Sequence, residues 1–201
     1  MDLINIILHI DTYLADIVSA YGALSYFFLF IVIFLETGLV FTPFLPGDSL
    51  LFAAGAISAI SSLNVYFLIL TIWIAAFLGD TANYWIGNLL GQKLSSKVNQ
   101  KYLDKTHEFY AKYGGATVFI ARFIPIVRTF APFVAGLGKM DYKKFFYYNI
   151  AGGLIWTSLF IALGYFFGNI PQVKHNFSFI IIAIIIISLI PVLIGITKQK
   201  N

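Results

Sequence analysis

The sequence predicts an all-α, polytopic membrane protein, an inverted repeat in which two opposed re-entrant helical hairpins are set among transmembrane helices. Three observations predict it. First, 60% of the 201 residues are hydrophobic and 11% are charged, against about 25% charged in a soluble domain. Second, two apolar stretches are interrupted by prolines and are too short on either side of the break to cross ~30 Å of hydrocarbon as a helix. Third, short motifs recur between the two halves. Phe44-Leu45-Pro46 returns 79 residues later as Phe123-Ile124-Pro125, and Gly87-Asn-Leu-Leu-Gly91 returns 77 residues later as Gly164-Tyr-Phe-Phe-Gly168. Inverted repeats whose broken helices meet at the midplane are the build of alternating-access transporters.

Residues 1–23 open the chain as an amphipathic helix. Leu3, Ile6, Ile7, Ile10, Leu14, Ile17 and Val18 share one face, and Asp2, Asn5, His9, Thr12 and Asp16 the other. The segment lacks the basic start and continuous apolar run of a signal peptide, so it is expected to be retained as a packing element. Residues 24–41 are apolar except for Glu36. The first hairpin follows over about 42–60, where Pro43, Pro46 and Gly47 break the backbone before Asp48 and a short apolar helix. Non-helical backbone at that depth is tolerated only when buried in protein or lining a wet cavity. Residues 64–90 form a full span that carries Asp80 and Tyr84.

Over 92–113, Lys93, Lys97, Lys101 and Lys105 recur every fourth residue, which reads as a basic surface helix on the cytoplasmic side. A solvated positive-inside loop explains those lysines without any further role. The second hairpin, about 115–137, is broken at Pro125 and Pro132 and followed by Lys139, Lys143 and Lys144, so both its ends lie on the cytoplasmic side. Residues 145–168 then cross outward. Residues 176–197 cross back and end in Lys198 and Lys200, which places the C-terminus in the cytoplasm.

Arg122 and Arg128 are the only arginines in the chain, and both sit among residues suited to hydrocarbon. An arginine at bilayer depth costs at least ~2.5 kcal/mol and must face protein, water or an anion. Six residues of unbroken helix would turn the two about 120° apart. The break at Ile124-Pro125 removes that restriction and lets them converge. Guanidinium groups suit phosphate because they stay charged when buried and donate in bidentate fashion. Two readings stand together: the arginines grip an anion, or they pair with Glu36 and Asp48 and hold the hairpins in place. Asp80 is either a further ligand or relay group, or a cap on a local break at Gly79 that bonds Asn83. Asn149, Gly152, Gly153 and Trp156 fit close helix packing.

Composition narrows the chemistry. Without cysteine there is no disulfide or thiolate site, and His9, His107 and His175 are too scattered for a metal centre. No metal, cofactor or enzymatic activity is expected. The net charge of +4 comes from lysines near membrane ends, which suits anionic lipid headgroups rather than nucleic acid. Aromatic-rich spans fit either a homo-oligomer face or lipid contact.

The pattern Glu36, Pro43-x-x-Pro46-Gly47-Asp48, Gly55, Gly79-Asp80-x-x-x-Tyr84-x-x-Gly87, Tyr113-Gly114, Arg122-Phe-x-Pro125-x-x-Arg128-Thr129, Pro132, Ala135-Gly136, Phe145, Asn149, Gly152 and Trp156 resembles the DedA family, also called SNARE-associated or VTT-domain proteins. It covers about residues 25–170. Asp48 stands where many members have Glu. The resemblance implies a bacterial inner-membrane protein that returns undecaprenyl phosphate or a related anionic lipid across the cytoplasmic membrane for envelope synthesis, with a link to the proton motive force. It also implies that Glu36, Asp48, Arg122 and Arg128 are the working charges. A proton-coupled cation or small-ion antiporter and a non-transporting assembly factor are the alternatives.

Overall fold

The structure is a computed structural model that describes residues 20–38, 47–94, 113–171 and 173. Residues 1–19 of the expected N-terminal helix, Pro43 and Pro46, most of the basic segment and the expected span over 176–197 lie outside the described residues. Within them the chain forms six helices and no strand: α1 (Ala23–Gly38), α2 (Gly47–Ser58), α3 (Val65–Leu94), α4 (Ala116–Ala121), α5 (Pro125–Leu137) and α6 (Tyr142–Gly168).

Length and burial together separate spanning helices from the rest. The apolar part of α3, Val65–Leu90, and all of α6 are long enough to cross a bilayer, and only 33% of each span's apolar window is buried. Core helices of a soluble protein would bury most of that surface. Leu24, Phe28, Tyr66, Leu89, Leu163 and Phe166 instead present large apolar side chains outward. The twelve residues of α2 and thirteen of α5 rise about 18–20 Å and cannot span alone. α3 continues four residues past the expected end at 90, because no proline stops it. Asn64 starts it, its Oδ1 accepting from the N–H groups of Tyr66 and Phe67 at 2.9 and 3.1 Å.

The described residues fall into two compact units: one within Met1–Phe28, Phe44–Leu70 and Ser158–Asn201, the other within Leu29–Pro43 and Thr71–Thr157. In the first, α2 lies backbone to backbone on the end of α6. A Cβ on Gly55 would strike the Ile161 carbonyl, and one on Gly164 the Phe52 carbonyl, both closer than the 3.0 Å that real Cβ atoms keep. The Phe52 and Phe167 rings close that contact at 5.5 Å. In the second unit, α5 lies on α3 in the same way: Gly136 meets the Tyr84 carbonyl, and Gly87 the Phe133 carbonyl.

These four contacts correspond one to one. Phe52 and Gly55 are matched by Phe133 and Gly136, and Tyr84 and Gly87 by Ile161 and Gly164. The recurring sequence motifs are therefore expressed as one packing made twice, in which each short helix rests on the span from the other half of the chain. Gly87→Ala and Gly164→Ala should each lower stability by about 1–3 kcal/mol through overpacking. Thermal unfolding of the detergent-solubilised protein checks this, and equal losses in the two variants would mark the packings as equivalent.

The prolines of the second hairpin behave differently from expectation. Pro125 does mark the break: Ile124 before it is extended (φ −112°, ψ 107°) and Pro125 opens α5. Pro132 does not break the chain, because α5 continues through it to Leu137. A proline inside a helix lacks an N–H and crowds the preceding turn. Here the Thr129 carbonyl, three residues earlier, accepts from Asn83 Nδ2 at 2.8 Å. That bond ties the turn before Pro132 to the span α3.

Candidate functional site

The candidate site is built from residues of the second unit, where α1, α3, α4, α5 and α6 each contribute a side chain. Arg122 is the residue at which α4 ends, and Arg128 stands in the first turn of α5. The extended residue between the helices resets the rotation that would have kept them apart. Both guanidinium carbons now stand over the ring of Trp156, Arg128 at 5.0 Å and Arg122 at 5.8 Å from its centroid. Trp156 itself is fully buried.

Each arginine has its own carboxylate. Arg122 Nη2 pairs with Asp80 Oδ2, and Arg128 Nη2 lies 2.5 Å from Glu36 Oε1. All four side chains are buried, with Glu36 at 1% and Asp80 at 5% exposure. Two cations against two anions leave the cluster formally neutral, which is how charge persists away from water.

Amides hold the frame around these pairs. Asn149 Oδ1 accepts from Arg122 Nη2 at 2.5 Å, while its Nδ2 donates to the Phe77 carbonyl at 3.2 Å. Asn83, fully buried, donates from one Nδ2 to the carbonyls of Thr37 at 3.1 Å and Thr129 at 2.8 Å. It thereby ties the end of α1 and the first turns of α5 to the span α3. Gly79 allows α1 to approach, since a Cβ there would collide with Thr37 Oγ1. Between the arginines and Trp156, with Thr37, Asp80 and Thr129, remains a cavity of about 10 Å³, room for about one water molecule.

The structure therefore gathers Glu36, Asp80, Arg122, Arg128, Thr129, Asn149 and Trp156. Asp48 stands in the first turn of α2, a helix of the first unit. The carboxylate that meets Arg122 is Asp80, where the sequence offered Asp48. Asp80 caps no break, because α3 runs unbroken through Gly79-Asp80, and Asn83 bonds the carbonyls of Thr37 and Thr129 instead. Tyr84 does not line the cavity. Its hydroxyl donates to the Met140 carbonyl at 2.5 Å and its ring stacks on Phe145 at 4.6 Å, so it secures the loop between α5 and α6.

Thr37 and Asn83 are members that sequence reading did not assign to the site. For Asn83 a signal existed: it follows Asp80 by three residues, on the same helical face.

The model of the VTT domain family matches residues 45–166. The chain belongs to the VTT-domain, or DedA, family. It is similar to Protein DedA of Escherichia coli K12, with 53% identity over 99% of this chain and 94% of that protein. It is 37% identical to Inner membrane protein YqjA of the same organism, over 73% of this chain and 69% of that one. An uncharacterized membrane protein of Mycobacterium tuberculosis is 41% identical over 83% of this chain and 76% of its own length. No solved structure matches it. This DedA-family chain is thus a membrane protein, and its matched segment contains both arginines, Asp80, Asn149 and Trp156.

Proposed function

We propose that this DedA-family protein carries a lipid phosphate across the cytoplasmic membrane, with Arg122 and Arg128 binding the headgroup while the tail stays in the bilayer. The observation that carries this is the convergence of two buried guanidinium groups on one aromatic ring, on a helix broken between them. A purely structural ion pair needs neither the break nor the convergence. Undecaprenyl phosphate is the substrate suggested by the family resemblance. The function is transport rather than chemistry on the lipid.

In the described state both arginines are engaged by carboxylates, and the cavity beside them, about 10 Å³, has room for about one water molecule. A phosphate must therefore take the place of a carboxylate. Protonating Glu36 or Asp80 as the phosphate arrives would keep the site near neutral, which gives transport its proton coupling. On the same proposal the α4–α5 hairpin and the segment ending in α2 are re-entrant from opposite faces. The basic residues 92–113 and the C-terminus then lie in the cytoplasm.

The close pairing and small cavity favour one alternative, an assembly factor whose charges are tethers. Vesicles holding the protein and an internal pH indicator separate the two. Addition of a polyprenyl phosphate should move protons, and collapsing the pH gradient should slow lipid movement. Proton movement driven by Na⁺ or K⁺ in place of the lipid would show a cation antiporter, and no response to either would favour the tether.

A further inference from the structure

Asn149, Gly152, Gly153 and Trp156 recur at the spacing of one face of a helix, and each is turned to the same guanidinium. Asn149 accepts a hydrogen bond from Arg122 Nη2 at 2.5 Å. A Cβ on Gly152 would sit 3.5 Å from Arg122 Nε, and one on Gly153 3.4 Å from Arg122 Nη1, so the guanidinium lies against bare backbone there. The Trp156 ring completes the face, and its centroid is also 5.0 Å from the Arg128 guanidinium carbon. Of these contacts none is a carboxylate. None of them depends on the charge of an acidic side chain.

We infer, on the lipid-phosphate reading above, that this face of α6 is an anion-positioning platform: Asn149 and the Trp156 ring keep the arginines in place while a phosphate oxygen replaces the Asp80 carboxylate. Two like charges close together repel, and a shared aromatic ring lowers that cost by offering negative potential to both. A neutral amide acceptor adds direction without competing for the charge, as a third carboxylate would. Asn149 is itself fixed, since its Nδ2 is held by the Phe77 carbonyl and lies 3.5 Å from Thr81 Oγ1. Asn149 and Trp156 are thus positioning residues, acting on the headgroup through the arginines.

The test uses proteoliposomes containing a polyprenyl monophosphate at varied density, with Trp156→Phe, Trp156→Leu and Asn149→Leu. Trp156→Leu should raise the half-saturating lipid density by about tenfold, the size of a desolvated cation–π contact, and Trp156→Phe by less. Asn149→Leu should act in the same direction, and the maximal rate should change by no more than about twofold. If Trp156→Leu fails to fold, Trp156→Phe and Asn149→Leu carry the comparison. Lower maximal rates and melting temperatures with an unchanged half-saturating density would overturn the platform and leave the transport reading standing.

Should the wild-type protein move no lipid, the transport reading falls and the platform is judged by binding. With Trp73→Phe and Trp85→Phe in place, emission from Trp156 should shift on adding the phosphate-bearing vesicles, and Arg122→Lys should abolish the shift. An emission unmoved by those vesicles would overturn the platform.

Discussion

Asp80→Ala should destabilise the protein by about 3–5 kcal/mol, the cost of leaving a buried charge without its counter-ion. Arg122 is 5% exposed and pairs with Asp80 in the interior of the second unit, so water cannot take over the carboxylate's place without opening the site. Asn149 and Trp156 remain against the guanidinium, but neither neutralises it. The double variant Asp80→Ala, Arg122→Met removes the charge together with its partner and should recover most of the loss, because no uncompensated charge is left buried. Thermal unfolding in detergent checks both. A single variant as stable as the wild type would mean the pair is solvated. The recovered double variant should fold yet fail to transport, which separates the role of the pair in the fold from its role in function.

Arg122→Lys and Arg128→Lys should abolish most transport while leaving the fold intact. Lysine keeps a positive charge near Asp80 or Glu36, so neither carboxylate is orphaned. The fork that serves two phosphate oxygens at once is lost, as is the planar group that lies on the Trp156 ring. A charge-assisted hydrogen bond contributes about 1.5–3 kcal/mol, so each substitution should weaken headgroup binding by about 10–100-fold. The concentration dependence of transport in vesicles measures this. Unaltered transport by both variants would show that any positive charge suffices and that bidentate recognition is wrong.

Much of this was legible in the sequence for one physical reason: charge and proline are rare in hydrocarbon, so each occurrence has to be accounted for. The two arginines, the break at Ile124-Pro125 and the need for carboxylate partners follow from that alone. The choice of carboxylate does not. Asp48 and Asp80 are equally acidic, and which one meets Arg122 depends on how α3 is rotated against the α4–α5 hairpin. Glycine contacts such as Gly136 on the Tyr84 carbonyl set that rotation, and no local pattern reveals it. Pro132 misled for the opposite reason. Its local rule favours a break, yet α5 runs through it, packed on α3 by residues just beyond it, Phe133 on Gly87 and Gly136 on the Tyr84 carbonyl. The face formed by Asn149, Gly152, Gly153 and Trp156 was visible as a helical spacing, yet the same spacing serves ordinary packing. Only the placement of Arg122 against it distinguishes the two.

The most direct test of the central claim is the accessibility of the polyprenyl phosphate headgroup in sealed vesicles with and without the purified protein. An impermeant phosphatase or quencher added outside should reach only the outer-leaflet headgroups in protein-free vesicles, about half of the total. Wild-type protein should expose nearly all of them, and Arg122→Lys, Arg128→Lys should return the accessible fraction toward that of protein-free vesicles. Protein-independent accessibility under every gradient tried would contradict the account and leave the buried arginines as tethers of the fold.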